Sequence, residues 1–195
     1  NLKILNFYPV GSLRLARALN KIRNNSKLTK TKYDICLISD FGAPRIIINK
    51  IKVNNEIKVY EGFLKLTKYV IKYAIEKKCK LIFLLKGKTG EIDWFRKNLK
   101  KKEFDYLMKN SSHKKESKST SSYQILRQSN LSISTMTTML RENLTMNGKI
   151  LSCNFTKNKV YDFPINGVST INKVCSYNYF CKRTSYLLKM KKHQY

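Results

Sequence analysis

Acidic residues are scarce in this chain: 12 Asp and Glu stand against 40 Lys and Arg, for a formal net charge of +28. Long apolar runs are missing too. None approaches the ~18 residues that a membrane-spanning helix needs, and no stretch has the form of a signal peptide. These absences predict a cytoplasmic protein. The cysteines are Cys36, Cys79, Cys153, Cys175 and Cys181, an odd number with no C-x-x-C spacing, which argues against a disulfide framework and against zinc. Cys36 and Cys153 lie in apolar segments and read as small core residues. His113 and His193 sit in polar, charged stretches, so neither reads as a ligand or a general base. No Asp-x-Asp motif occurs, and no metal is implied.

What is present fits a folded domain. At 195 residues, with 42% hydrophobic content, 12 Tyr and 9 Phe, the chain can bury a sizeable core and is not disordered over most of its length. Its charge predicts attraction to nucleic acid, anionic lipid or an anionic polymer. Yet 32 of the basic residues are Lys and only 8 are Arg, the residue that specific nucleic-acid readers favour for bidentate contacts. Lys, Asn and Ile are together what an A/T-rich coding sequence supplies, so coding bias is the competing source of the charge. Nucleic-acid binding is therefore the alternative reading, and an inactive remnant is a third.

Strand and helix patterns alternate along the chain. Leu2 to Tyr8 reads as a strand, and Ser12 to Arg23 as a basic helix with Leu13, Ala16, Leu19 and Ile22 at helical spacing. Asn24 to Lys32 is a polar linker, so residues 1–32 form an N-terminal extension. Strand Asp34 to Ser39 ends in the breakers Asp40 to Pro44. Glu61 to Lys78 is an amphipathic helix with Phe63, Leu66, Val70 and Ala74 inward and Lys65, Lys68, Lys72 and Glu76 outward. Strand Lys80 to Leu85 follows, then a helix over Glu91 to Lys109 whose acidic start suits the helix dipole and whose Trp94 and Phe95 face the core. Residues 110–122 are low in complexity and predict a flexible polar loop where a strand is due. Ser122 to Gln128 is a short helix. A final helix, about Ser176 to Lys191, turns Tyr177, Phe180, Thr184 and Leu187 or Leu188 inward. Such alternation predicts an α/β fold, a Rossmann-like parallel sheet with helices on both faces, with ligands at the carboxyl ends of the strands.

The strongest local signal follows the apolar segment Leu131 to Ile133. Ser134, Thr135, Thr137 and Thr138 form a hydroxyl cluster where a helix would begin, and unpaired N–H groups at that end favour an anion. Glu142 lies four residues after Thr138 and shares its face. It is not the return partner of a capping box, since that position is Arg141. A carboxylate one turn from a phosphate cradle suits the hydroxyls of a ribose. The same Ser and Thr residues also cap helices that bind nothing.

The succession Ser121-Ser122-Tyr123-Gln124-Ile125, Ser129, Leu131 to Ser134, Thr137-Thr138, Glu142 and Gly148-Lys149-Ile150-Leu151 resembles the C-terminal Rossmann half of GT-B-type glycosyltransferases of bacterial surface-polysaccharide biosynthesis. Tyr161 to Gly167 and the closing Tyr177, Phe180, Arg183, Leu187, Leu188 and Met190 fit the same end. The resemblance covers residues 33–195. It implies a domain that binds a nucleotide-sugar donor for hexosyl or sialyl/Kdo-type transfer to a glycan or lipid-linked acceptor, with peripheral contact to an anionic membrane at its inner face. No further cofactor is implied. By the same resemblance Thr137 and Thr138 hold the donor phosphate, with Ser134 and Thr135 nearby, and Glu142 contacts nucleotide or sugar. Lys86 presents a cation from the end of its strand. The family's catalytic base belongs to an N-terminal half that has no match here, so the chain reads as half of such an enzyme.

Overall fold

A computed structural model describes residues 15–16, 20, 30–41, 50–115, 121–156, 158–191 and 195. The strand expected over Leu2 to Tyr8, most of the basic helix and the linker after it, the breaker turn beyond Phe41, and His193 lie outside the described residues.

Five strands pair in parallel: β1 (Tyr33–Ile38), β2 (Leu81–Leu84), β3 (Ser129–Ser134), β4 (Ile150–Cys153) and β5 (Thr170–Ile171). They lie in the order β2-β1-β3-β4-β5. Register runs from Ile35 opposite Leu81 to Ile38 opposite Leu84 on one side of β1, and from Tyr33 opposite Ser129 to Leu37 opposite Ile133 on the other. The strands are buried along nearly their whole length, as the apolar runs demand of a parallel sheet covered on both faces. The fold is α/β and Rossmann-like.

Seven helices are labelled α1 (Lys50–Glu76), α2 (Glu91–Asn98), α3 (Lys101–Lys109), α4 (Ser112–Lys115), α5 (Ser122–Arg127), α6 (Thr138–Thr145) and α7 (Tyr177–Lys189). One face of the sheet presents Ile35, Leu37, Phe83 and Ile133 to α1, α2, α3 and α7; the other presents Cys36, Ile38, Ile82 and Ile150 to α5 and α6. On the first face Phe95 packs edge-on against Phe83 at 5.1 Å and Phe63 at 6.0 Å between ring centres.

Three expectations change. Helix α1 starts at Lys50 rather than Glu61, because the weak helix formers Asn54 and Asn55 mask its first turns in the sequence. The segment expected as one helix from Glu91 to Lys109 is two. Leu99 and Lys100 are extended, and the Glu103 carboxylate accepts the Lys100 amide at 2.9 Å to start α3. A straight helix would carry Leu107 roughly 120° around the axis from Phe95; the break returns both to the core, each fully buried. Finally, Asn110 and Ser111 are buried, not part of a surface loop. Phe83 donates its amide to the Asn110 carbonyl at 2.8 Å, and Ser111 forms a single parallel bridge to Phe83. Counted as the third strand in chain order, this bridge makes the sheet 3-2-1-4-5-6, the order of doubly wound dinucleotide-binding folds.

The Gly148-Lys149 pair proves structural. A Cβ on Gly148 would lie 2.3 Å from Asn143 Oδ1, while Asn143 donates to Ser132 Oγ at 2.9 Å. Lys149 is buried and its ammonium donates to the carbonyls of Leu187 (2.7 Å), Leu188 (3.3 Å) and Met190 (2.8 Å), closing the negative end of α7.

Lys149→Met leaves those carbonyls unmet and should lower stability by about 2–3 kcal/mol in urea unfolding. Burial pushes the Cys36 thiol up to about 12 from 9.0. Its folded value is raised, so its contribution is complete below the unfolded value and is lost as pH climbs through the folded one. Cys36→Ala should therefore flatten the alkaline fall of the melting temperature.

Candidate functional site

The carboxyl ends of β1, β2 and β3 open into one cleft of about 390 Å³, within the range typical of small-ligand sites. The end of β1 and the loop after it contribute Ile38, Ser39 and Asp40; the loop after β2 contributes Leu85, Lys86 and Lys88; the turn into α6 contributes Met136, Thr137, Thr138 and Met139, with Ser122 from α5. The cleft lies where the chain crosses from the β2 side of β1 to the β3 side. Ligands bind at such a reversal because the loops leaving two neighbouring strands diverge to opposite faces.

Thr137 and Thr138 stand where the hydroxyl cluster led us to expect them. Thr137 is the N-cap of α6, extended at φ −64° and ψ 146°, and its Oγ1 accepts the Met139 amide at 3.0 Å. Thr138 is exposed on the cleft rim. Ser134 and Thr135 are buried and hold the floor together. Ser134 donates to the Ile38 carbonyl at 2.9 Å, tying β3 to β1, and Thr135 donates to Asp40 Oδ2. Lys86 lines the cleft, but its ammonium is paired with Asp40 Oδ1 at 3.2 Å. Glu142 is not among the lining residues; its carboxylate accepts the Tyr123 hydroxyl at 2.8 Å. Four residues along a helix lie ~6 Å further from its N-terminus, which takes Glu142 down the flank of α6.

No family model, curated protein or solved structure matches this chain. The cleft has to be understood from its own atoms.

Three acidic or basic residues there had no part in the sequence reading of the site. Asp40 stands two residues after the buried strand β1, where in this fold the chain faces the ligand crevice; that placement was the available signal. Lys88 lines the cleft, and among the described residues it has no carboxylate partner. Glu91 opens α2 and fits the dipole there, yet it is only 1% exposed. Its carboxylate accepts the amides of Lys86 (3.2 Å), Gly87 (2.9 Å) and Lys88 (3.4 Å) as well as the Ser39 hydroxyl. Gly87 and Gly90 take positive φ, 71° and 79°, which lets this loop fold back over Glu91.

Electrostatically the cleft carries Lys86 paired with Asp40, Lys88 with no carboxylate partner among the described residues, and the positive end of α6. Hydroxyls of Thr138 and Ser122 add neutral donors at the rim. The arrangement suits an anion joined to a polar group, and a phosphate ester is the common case. Thr137→Ala removes the cap of α6 and should cost about 1 kcal/mol in denaturant unfolding, whereas Thr137→Ser should cost little.

Proposed function

We propose that this chain is a glycosyltransferase-like domain that holds a nucleotide-sugar donor in the cleft between β1 and β3, for transfer of the sugar to a glycan or lipid-linked acceptor in surface-polysaccharide synthesis. One observation carries the reading: a cleft at the strand-order reversal whose rim combines a helix N-terminus, threonine hydroxyls and a lysine with no paired carboxylate among the described residues. In this reading the Thr137-Thr138 turn faces the donor phosphate and Lys88 offsets its charge. Lys86 joins when Asp40 releases it. Glu142 is left out, since it does not line the cleft.

The chemistry asked of these groups is modest. The bond between the sugar and the nucleotide phosphate breaks, the acceptor hydroxyl forms the new glycosidic bond and gives up its proton, and the phosphate leaves with added negative charge. Fixed donors and a dipole aimed at that charge lower the barrier.

The net charge of +28 supports the second reading, binding to nucleic acid through the surface as a whole. A thermal-shift panel of CMP, UDP, GDP and a short RNA, at low and at physiological salt, separates the two. The donor reading expects one nucleotide to stabilise the protein in a salt-tolerant way. Lys88→Ala should weaken that nucleotide about tenfold, the loss of one charge-assisted contact. Asp40→Asn should tighten it, because Lys86 then no longer has a competing carboxylate. Stabilisation by every anion alike, fading as salt rises and indifferent to both substitutions, would replace the donor site with a general basic surface.

A further inference from the structure

The cleft's lysines sit on a loop with no strand or helix of its own, Lys86 to Gly90. What fixes it is a side chain below it. Glu91 is buried, and four donors converge on its carboxylate: three consecutive amides of the loop and the hydroxyl of Ser39, the residue that follows β1. Ser39 Oγ in turn accepts the Phe41 amide at 3.2 Å. The loop after β2 and the loop after β1 are thus joined twice. Glu91 and Ser39 join them underneath; Lys86 and Asp40 join them at the cleft surface.

A buried carboxylate is costly unless donors replace its water, and these do so. No helix-dipole argument requires this arrangement, since Asp93 already places a carboxylate in the first turn of α2 and remains in solvent. Glu91 instead spends both oxygens on the loop that carries Lys86 and Lys88. A lysine side chain is long and flexible, and its contribution to binding rises when its backbone is held in place beforehand.

We propose that Glu91 is the positioning residue of this cleft: it holds the Lys86–Lys88 backbone against the end of β1, so that both ammonium groups face the space where an anionic ligand sits. The binding consequence rests on the donor reading above; the clamp itself does not. Two measurements keep them apart. Amide exchange followed by NMR reports the clamp. In the wild-type protein the Lys86, Gly87 and Lys88 amides should be protected, unlike a solvent-facing loop, and Glu91→Gln should speed their exchange at least about tenfold while β1 and β3 stay protected. A glutamine keeps the shape but points an NH₂ group at donors. Titration with CMP, UDP and GDP reports the consequence: Glu91→Gln should weaken whichever of them binds by about tenfold. Lys149→Met, which loosens the domain far from the cleft, should move neither readout.

Free exchange of these three amides in the wild-type protein overturns the proposal without need of any variant. So does faster exchange in Glu91→Gln with unchanged affinity, or loss of affinity in Lys149→Met to the same degree. If the wild-type protein binds none of the three nucleotides, the donor reading falls, and the exchange of the three amides alone upholds or overturns the clamp. Should Glu91→Gln fail to fold, Glu91→Asp, one methylene shorter, is expected to shift both readouts in the same direction.

Discussion

β1 pairs on both sides, with β2 through Ile35 to Ile38 and with β3 through Tyr33 to Leu37, and the chain crosses its line to build the second half of the sheet. Every feature of the cleft depends on that central strand. Burial on both faces leaves it no water along its length, so its polar groups come together where it ends. There Ser39, Asp40 and the Ile38 carbonyl meet partners from both neighbours: Glu91 and Lys86 from the β2 side, Ser134 and Thr135 from the β3 side. The bonds that complete the fold at this edge are the same ones that shape the site.

Acidic residues are few, and two of them are placed at this edge. Glu91 is wholly buried and saturated with donors; Asp40 lies at the cleft surface between Lys86 and Thr135. Two other pairs among the described residues are exposed. Lys72 with Glu76 and Arg96 with Asp93 are helix-surface pairs of the kind that contributes little. Much of the positive charge is therefore a field over the molecule, while the cleft carries a smaller and locally defined excess. A field of this kind draws anions of any class, and local geometry selects among them.

β1 and β2 were legible because burial on both faces favours continuous hydrophobic runs, and each lies within a residue of its run; β3 runs from Ser129 to Ser134, beyond the apolar segment Leu131 to Ile133 that marked it. The cap at Thr137 was legible for a different reason, since a hydroxyl before a helix satisfies amides that nothing else in that helix can reach. The break at Leu99 was not, because neither Leu nor Lys opposes helix and only the demand to bury both Phe95 and Leu107 forces it. The bridge at Ser111 was not either. A strand of one residue has no period, and its polar neighbours look like loop. For the site, the threonine turn could be placed from local pattern and Lys86 from the resemblance, whereas the partners that Asp40 and Glu91 find there required knowing which strand ends are neighbours.

What the sequence determined by itself, then, is local: where the chain becomes strand or helix, which face of each helix is apolar, and where a capped helix presents its N-terminus. Those follow from side chains within a few residues of one another. Only the tertiary structure decided which ends adjoin. Thr135 and Asp40 are 95 positions apart and Ser39 and Glu91 are 52 apart; Lys149 caps a helix whose last carbonyls lie about 40 residues on. Contacts of that span are set by the order in which parallel strands pack, and no local periodicity encodes that order.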